Sequence, residues 1–181
     1  PAIPPLANLH RRSRILTAIR HFFQQRDFME VETPLRIPAP ALELYIDAPP
    51  AGNGYWLRTS PELHMKRLLV AGCERIYQLG ACFRVGERGR RHNPEFTMLE
   101  WYRLHADYRT ILQDTIELVG HVVQEILGGD TLTVAGQTIC VTPPWHVLTV
   151  QDAFTAMAGW DPTTAYDADR FDLDMVNLVE P

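Results

Sequence analysis

The chain has 181 residues, 46% of them hydrophobic and 22% charged, which is the composition of an ordinary globular domain with a sizeable core. Its formal net charge of -5 argues against a dedicated non-specific DNA or RNA binder, which needs a surplus of Lys and Arg to release counterions. Three cysteines, Cys73, Cys82 and Cys140, form no CxxC pair; they read as packing residues in a reducing cytoplasm, and no apolar run reaches transmembrane length.

In chain order, residues 1–9 are proline-rich at their start and read as an extended lead-in, followed by one domain over 10–181. From His10 to Arg26 the apolar positions Ile15, Leu16, Ile19, Phe22 and Phe23 recur at helical spacing. Phe28–Thr33 alternates as a short strand that stops at Pro34. The Pro- and Gly-rich stretch to Gly54 predicts surface loop. Ser60-Pro61-Glu62 is a helix start, with a capping hydroxyl, a proline suited to the first turn and an acid on the positive end of the dipole. That helix runs to about Ala71.

Ile76–Arg84 and Glu95–Arg103 both alternate with period two and predict an antiparallel hairpin around a basic loop. Asp107–Leu127 is a strong amphipathic helix stopped by Gly128-Gly129. Thr131–Val141 predicts a small hairpin turning at Gly136. Thr149-Val150-Gln151-Asp152 resembles a capping signal, with Asp where Glu is usual, ahead of a short helix. Residues 161–181 are acidic and weakly patterned.

The chemistry concentrates in the predicted hairpin. Alternation puts Gln78, Gly80, Cys82 and Arg84 on one face of its first strand, and Phe96, Met98, Glu100 and Tyr102 on one face of its second. Where those faces coincide they offer a cation, an aromatic plate, a carboxylate, a phenol and a glycine gap, a set suited to a ligand that combines phosphates, a base and an ammonium. Taken singly, each residue is more commonly core or solvated surface.

Phe83-Arg84, the basic loop and His92-Asn93-Pro94-Glu95-Phe96-Thr97-Met98-Leu99-Glu100-Trp101-Tyr102 resemble motif 2 of the class II aminoacyl-tRNA synthetases. Arg26–Pro34 resembles motif 1, and Thr59–Leu68 resembles the amino-acid-binding segment of the lysine branch. Within that branch the wording around Ser60-Pro61-Glu62-Leu63-His64 and Glu100-Trp101-Tyr102 is closer to the elongation factor P–lysine ligases.

The resemblance implies an α/β (α+β) fold, an antiparallel sheet flanked by helices, with the glycine-rich C-terminal motif 3 portion of the family absent from these residues. It implies that Arg84 contacts the α-phosphate and acts as the catalytic charge-stabilising group. Phe96 stacks on adenine, and Asn93 and Glu87 lie near ATP. Ser60, Pro61 and Glu62 hold the amino acid, Glu62 pairing its ammonium, with Tyr102 and Glu100 beside them.

The implied activity is ATP-dependent formation of a lysyl- or β-lysyl-adenylate and transfer to a lysine of elongation factor P. Motif 1 implies a homodimer. Mg²⁺ is expected as cofactor, with its ligands outside these residues. A ligase charging tRNA is the alternative. It is disfavoured by the acidic charge and by the nine residues before the first helix, which leave no room for an anticodon domain. A non-catalytic paralogue is the third reading. One departure stands out: Val85-Gly86-Glu87 follows Arg84 where the family has Asn-Glu-Glu, so one carboxylate is missing or Glu87 replaces it.

Overall fold

A computed structural model describes residues 5–40, 42–164 and 167–179, so residues 1–4 of the predicted lead-in lie outside the described residues. Helix α1 spans Leu6–Gln24 and starts four residues before the predicted His10. The Pro5 carbonyl accepts from the amides of both Asn8 and Leu9, so the first turn closes without a side-chain cap. Strand β1 is only Met29–Glu30, parallel to β4 (Arg75–Phe83). The expected strand to Thr33 is cut short for a visible reason. Val31 N still donates to Tyr77 O, but at Thr33 the amide donates instead to the Gln78 side chain, 3.1 Å away.

The predicted loop carries a two-residue ladder, β2 (Arg36–Ile37) against β3 (Trp56–Leu57). Helix α2 covers Glu62–Val70, with the Ser60 hydroxyl accepting from Glu62 N at 3.0 Å. Strand β4 pairs antiparallel with β5 (Glu95–Arg103) over nine residue pairs, giving the sheet order β1-β4-β5. Helix α3, Tyr108–Leu127, is capped by the Asp107 carboxylate and ends on Gly128 in the left-handed region (φ 71°). The small hairpin is β6 (Thr131–Val134) and β7 (Gln137–Cys140).

One face of the β4–β5 hairpin is core. Phe22, Phe23, Phe28, Tyr77 and Leu118 form a buried cluster, flanked by Leu99 and Trp101. Phe23 stacks on Tyr77 at 4.5 Å and tilts against Trp101 at 5.6 Å. Helix α1 therefore covers the odd-numbered side chains of the hairpin, with α3 contributing Leu118. Arg103 and the buried Asp114 pair at 2.9 Å and tie the end of β5 to α3. The even-numbered face, which carries the candidate site, combines the buried Ile76, Gln78 and Cys82 with the half-buried Phe96, Met98, Glu100 and Tyr102.

The chain divides into two compact units, Pro1–Val141 and Thr142–Pro181. The second unit holds α4 (Val150–Ala158) and α5 (Ala168–Asp174), the latter running into a π-helical turn at Met175–Val179. Its aromatic nucleus is Phe154, Trp160 and Phe171, with ring centroids 5.3 to 6.5 Å apart. At α4 the Thr149 hydroxyl accepts from Asp152 N at 3.0 Å. The Asp152 carboxylate accepts a hydrogen bond from the Thr149 hydroxyl rather than from a backbone amide, its side chain being one methylene shorter than that of the usual Glu. Of the cysteines, Cys82 is buried as expected, whereas Cys140 is exposed on the outer hairpin β6–β7 and fills no core space.

Candidate functional site

The hairpin register brings the two predicted faces together. Cys82 lies opposite Phe96, Gly80 opposite Met98, Gln78 opposite Glu100 and Ile76 opposite Tyr102. Directly opposed residues of an antiparallel pair point to the same side of the sheet. Two clusters result, centred on Phe96 and on Glu100, four residues and so about 13 Å apart along β5.

The first cluster sits where β4 runs out. The Arg84 guanidinium lies 5.1 Å from the centre of the Phe96 ring, a cation–π approach. Its Nη1 faces Glu87 Oε1 at 3.4 Å. Gly86 explains how Glu87 returns to Arg84: it adopts φ 78°, which a side chain would strain, and Arg88 N donates to its carbonyl at 2.8 Å. The loop thus supplies one carboxylate to Arg84 despite the Val85-Gly86 departure. Arg84 Nε is buried and has no partner among the described residues. Asn93 is exposed on the loop and makes no side-chain hydrogen bond among the described residues, so it is not drawn into the cluster.

The second cluster joins β5 to the start of α2. Ser60 Oγ donates to Glu100 Oε1 at 2.6 Å, and Tyr102 OH donates to Glu100 Oε2 at 2.9 Å. Both carboxylate oxygens are thereby engaged, which makes Glu100 the anchor that orients Ser60 and Tyr102. Burial pushes the Tyr102 phenol well above its ordinary value, and the Glu100 carboxylate adds to the shift, so this hydroxyl stays a donor. Pro61 is fully buried and fixes the turn into α2. Glu62 is partly exposed and carries the Lys66 ammonium one turn further along the helix. A cavity of about 310 Å³ opens beside Ser60 and Glu62, lined also by Ile37, Leu42, Glu43 and Leu63. That volume is at the small end of ligand pockets.

Two buried polar residues of this region have roles that the sequence did not reveal. Arg58 is 2% exposed, and its guanidinium donates to Thr33 O, Thr33 Oγ1 and Ala81 O at 2.8 to 3.0 Å. Gln78 is equally buried and accepts from Thr33 N. The available signal was Gly80, a glycine inside a strand, which marks a close approach by another group. The group is Arg58. Among the described residues no cluster of three or more His, Cys, Asp or Glu is placed to hold a metal, so no ligand is assigned to Mg²⁺.

Helices against an antiparallel hairpin, with charged, aromatic and hydroxyl groups gathered on its even-numbered face, define an α+β domain. Residues 5–177 match the family of tRNA synthetases class II (D, K and N), and the chain belongs to that family. The lysine–tRNA ligase of Dehalococcoides mccartyi is 42% identical over 154 residues, covering 83% of this chain and 31% of its own. The lysine–tRNA ligase of Moorella thermoacetica is 40% identical over 177 residues, or 94% of this chain and 36% of its own. The elongation factor P–(R)-β-lysine ligase of Yersinia enterocolitica is 45% identical over 189 residues, 97% of this chain and 53% of its own. The chain therefore spans about a third of the length of these lysine–tRNA ligases and about half that of the elongation factor P ligase.

Proposed function

We propose that this chain is the nucleotide- and amino-acid-binding part of an ATP-dependent ligase that activates lysine or β-lysine and passes it to a lysine side chain of elongation factor P. The observation that carries the reading is Arg84, set beside the Phe96 ring with its Nε unpartnered, on the same sheet face as the Ser60–Glu100–Tyr102 cluster. An aromatic ring beside a guanidinium suits a base joined to a phosphate. A carboxylate at the lip of a small cavity, Glu62, suits an ammonium. The family match over 5–177 supports treating residues 10–181 as one catalytic domain.

The substrate carboxylate, ionised at neutral pH, attacks the α-phosphorus of ATP; pyrophosphate leaves and an acyl-adenylate forms. No general base is needed for that step. The acceptor amine then attacks the acyl carbon, a C–N bond forms, AMP leaves and the amine gives up a proton. In the first step Arg84 counters the charge growing on the phosphate. To do so it releases Glu87, just as Glu62 releases Lys66 when a substrate ammonium arrives. Both charged groups are paired with neighbours in the structure. Asn93 acts from the loop once nucleotide is bound, Mg²⁺ accompanies the nucleotide, and the protein works in the cytoplasm as a homodimer. The 45% identity to an elongation factor P–(R)-β-lysine ligase supports a protein acceptor, and the 40–42% identity to lysine–tRNA ligases supports tRNA charging as the alternative.

The test is pyrophosphate exchange driven by lysine or β-lysine, followed by transfer to elongation factor P or to tRNA offered separately. Exchange and labelling of the protein acceptor are expected, and Arg84→Ala lowers exchange on the order of a hundredfold or more. Undiminished exchange by Arg84→Ala removes its assigned role. Charging of tRNA with no label on the protein replaces the acceptor.

A further inference from the structure

We infer that Arg58 is the positioning residue that sets the two halves of the site at their working separation. The inference rests on the functional reading above and assigns a role to a group that reading does not use. Arg58 lies between the segments that matter. Its amide donates to Leu35 O and its carbonyl accepts from Phe83 N, so the backbone at 58 is stitched to the chain after β1 and to the residue just before Arg84. Its side chain repeats the stitch, with Nη1 on Thr33 and Nε on Ala81 O. Two residues later the chain reaches Ser60, whose hydroxyl holds Glu100.

The turn that carries Ser60, Pro61 and Glu62 is therefore tied to the hairpin at two points. One is Ser60 to Glu100, inside the amino-acid cluster. The other is Arg58 to Ala81 and Phe83, directly below Arg84. Without the second tie the turn can pivot about the first. Each cluster then keeps its internal contacts while their separation drifts.

The environment of Arg58 is unusual for a mere packing residue. Among the described residues no carboxylate comes within ion-pairing distance of it, so a guanidinium that is 2% exposed is held by neutral groups, the Thr33 and Ala81 carbonyls, the Thr33 hydroxyl and the Cys82 thiol. A buried charge without a counter-charge is costly, and an apolar residue of similar volume fills such space more cheaply. What the arginine supplies is geometry: a rigid fork whose donors reach two segments at once. The hairpin is cut to fit it. A Cβ at position 80 would lie 2.8 Å from Arg58 Nη2, closer than side chains tolerate, so Gly80 leaves the space in which the fork sits.

The experiment measures binding of three probes to this chain: ATP, lysine, and a stable lysyl-adenylate analogue in which a sulfamoyl group replaces the phosphate. The analogue alone spans both clusters. Arg58→Lys keeps the charge and loses the fork; Gly80→Ala pushes on the fork without touching it chemically. Each is expected to weaken the analogue about ten- to a hundredfold, because small misplacements of paired groups are that costly. ATP alone and lysine alone change by no more than about twofold, as for sites that remain independent. The double variant is expected to lose no more than Arg58→Lys alone, since a lysine has no Nη2 for the methyl introduced by Gly80→Ala to strike. Thermal melts of all three variants report any general loss of fold. Equal weakening of all three probes, or additive losses in the double variant, overturns the positioning role and leaves the functional reading intact. A wild-type chain that binds none of the probes overturns the functional reading and this inference together.

Discussion

Asp161 shows what one side chain does for a turn that the sequence left unpatterned. Its carboxylate accepts from Thr163 N, Thr163 Oγ1, Thr164 Oγ1 and Gln151 Nε2, at 2.6 to 2.8 Å. These bonds, those from Thr163 first, pull its pKa from 3.8 down to about 2. The folded value is the lower one, so the contribution to stability is complete above about 3.8 and is lost as pH falls toward 2. Tryptophan fluorescence from Trp160, the preceding residue, is expected to report a transition in that window, and Asp161→Asn is expected to weaken its pH dependence. A transition unchanged in Asp161→Asn places its origin elsewhere. None of this is legible in the sequence, because Asp-Pro-Thr-Thr reads only as a loop until Gln151 is brought to it. Site residues divide in the same way. Arg84, Phe96, Ser60, Glu100 and Tyr102 are legible from their motifs, and strand alternation sorts those of the hairpin by face. Arg58 is not, because its partners, Thr33 and Ala81, are 25 and 23 residues away and no local pattern joins them.

Among the elements, those specified by local rules are readable and those specified by tertiary contacts are not. Helix α3 stops at Gly128 as predicted, and Asp107, read from the sequence as its first residue, is instead its cap. The nine-pair β4–β5 ladder follows from two matching alternations. Strand β1 is shorter than its alternation predicts because Gln78, a side chain from another element, takes the Thr33 amide that a strand partner would have used. The ladder of β2 with β3 escapes sequence reasoning because two residues are too few to show a period. For α3 the expected energetic consequence is simple. Asp107→Ala frees the amides of Arg109 and Thr110 and costs about 1 kcal/mol. In a domain of this size that lowers the melting temperature by roughly 2–4 °C, readable by circular dichroism. A larger drop would mean that Asp107 does more than cap.

At the scale of the whole molecule, the family match runs across both compact units, while the contacts divide at Val141. The resemblance at Arg26–Pro34 carries the proposed homodimer, and α1 leaves Arg11, His21 and Gln24 exposed. A stable pair buries about 800 Å² on each partner. Light scattering at micromolar concentration is expected to give twice the monomer mass, and a strict monomer removes the dimer from the reading.

The fit of Gly80 beneath Arg58 also bears on how such a chain can evolve. A side chain gained at 80 while Arg58 remains collides with the guanidinium. Arg58 lost while Gly80 remains leaves Thr33 and Ala81 carbonyls without their donor and an unfilled space beside them. If either single change is costly, the two positions are expected to change together in an alignment of relatives, and independent variation at 58 and 80 would count against the coupling.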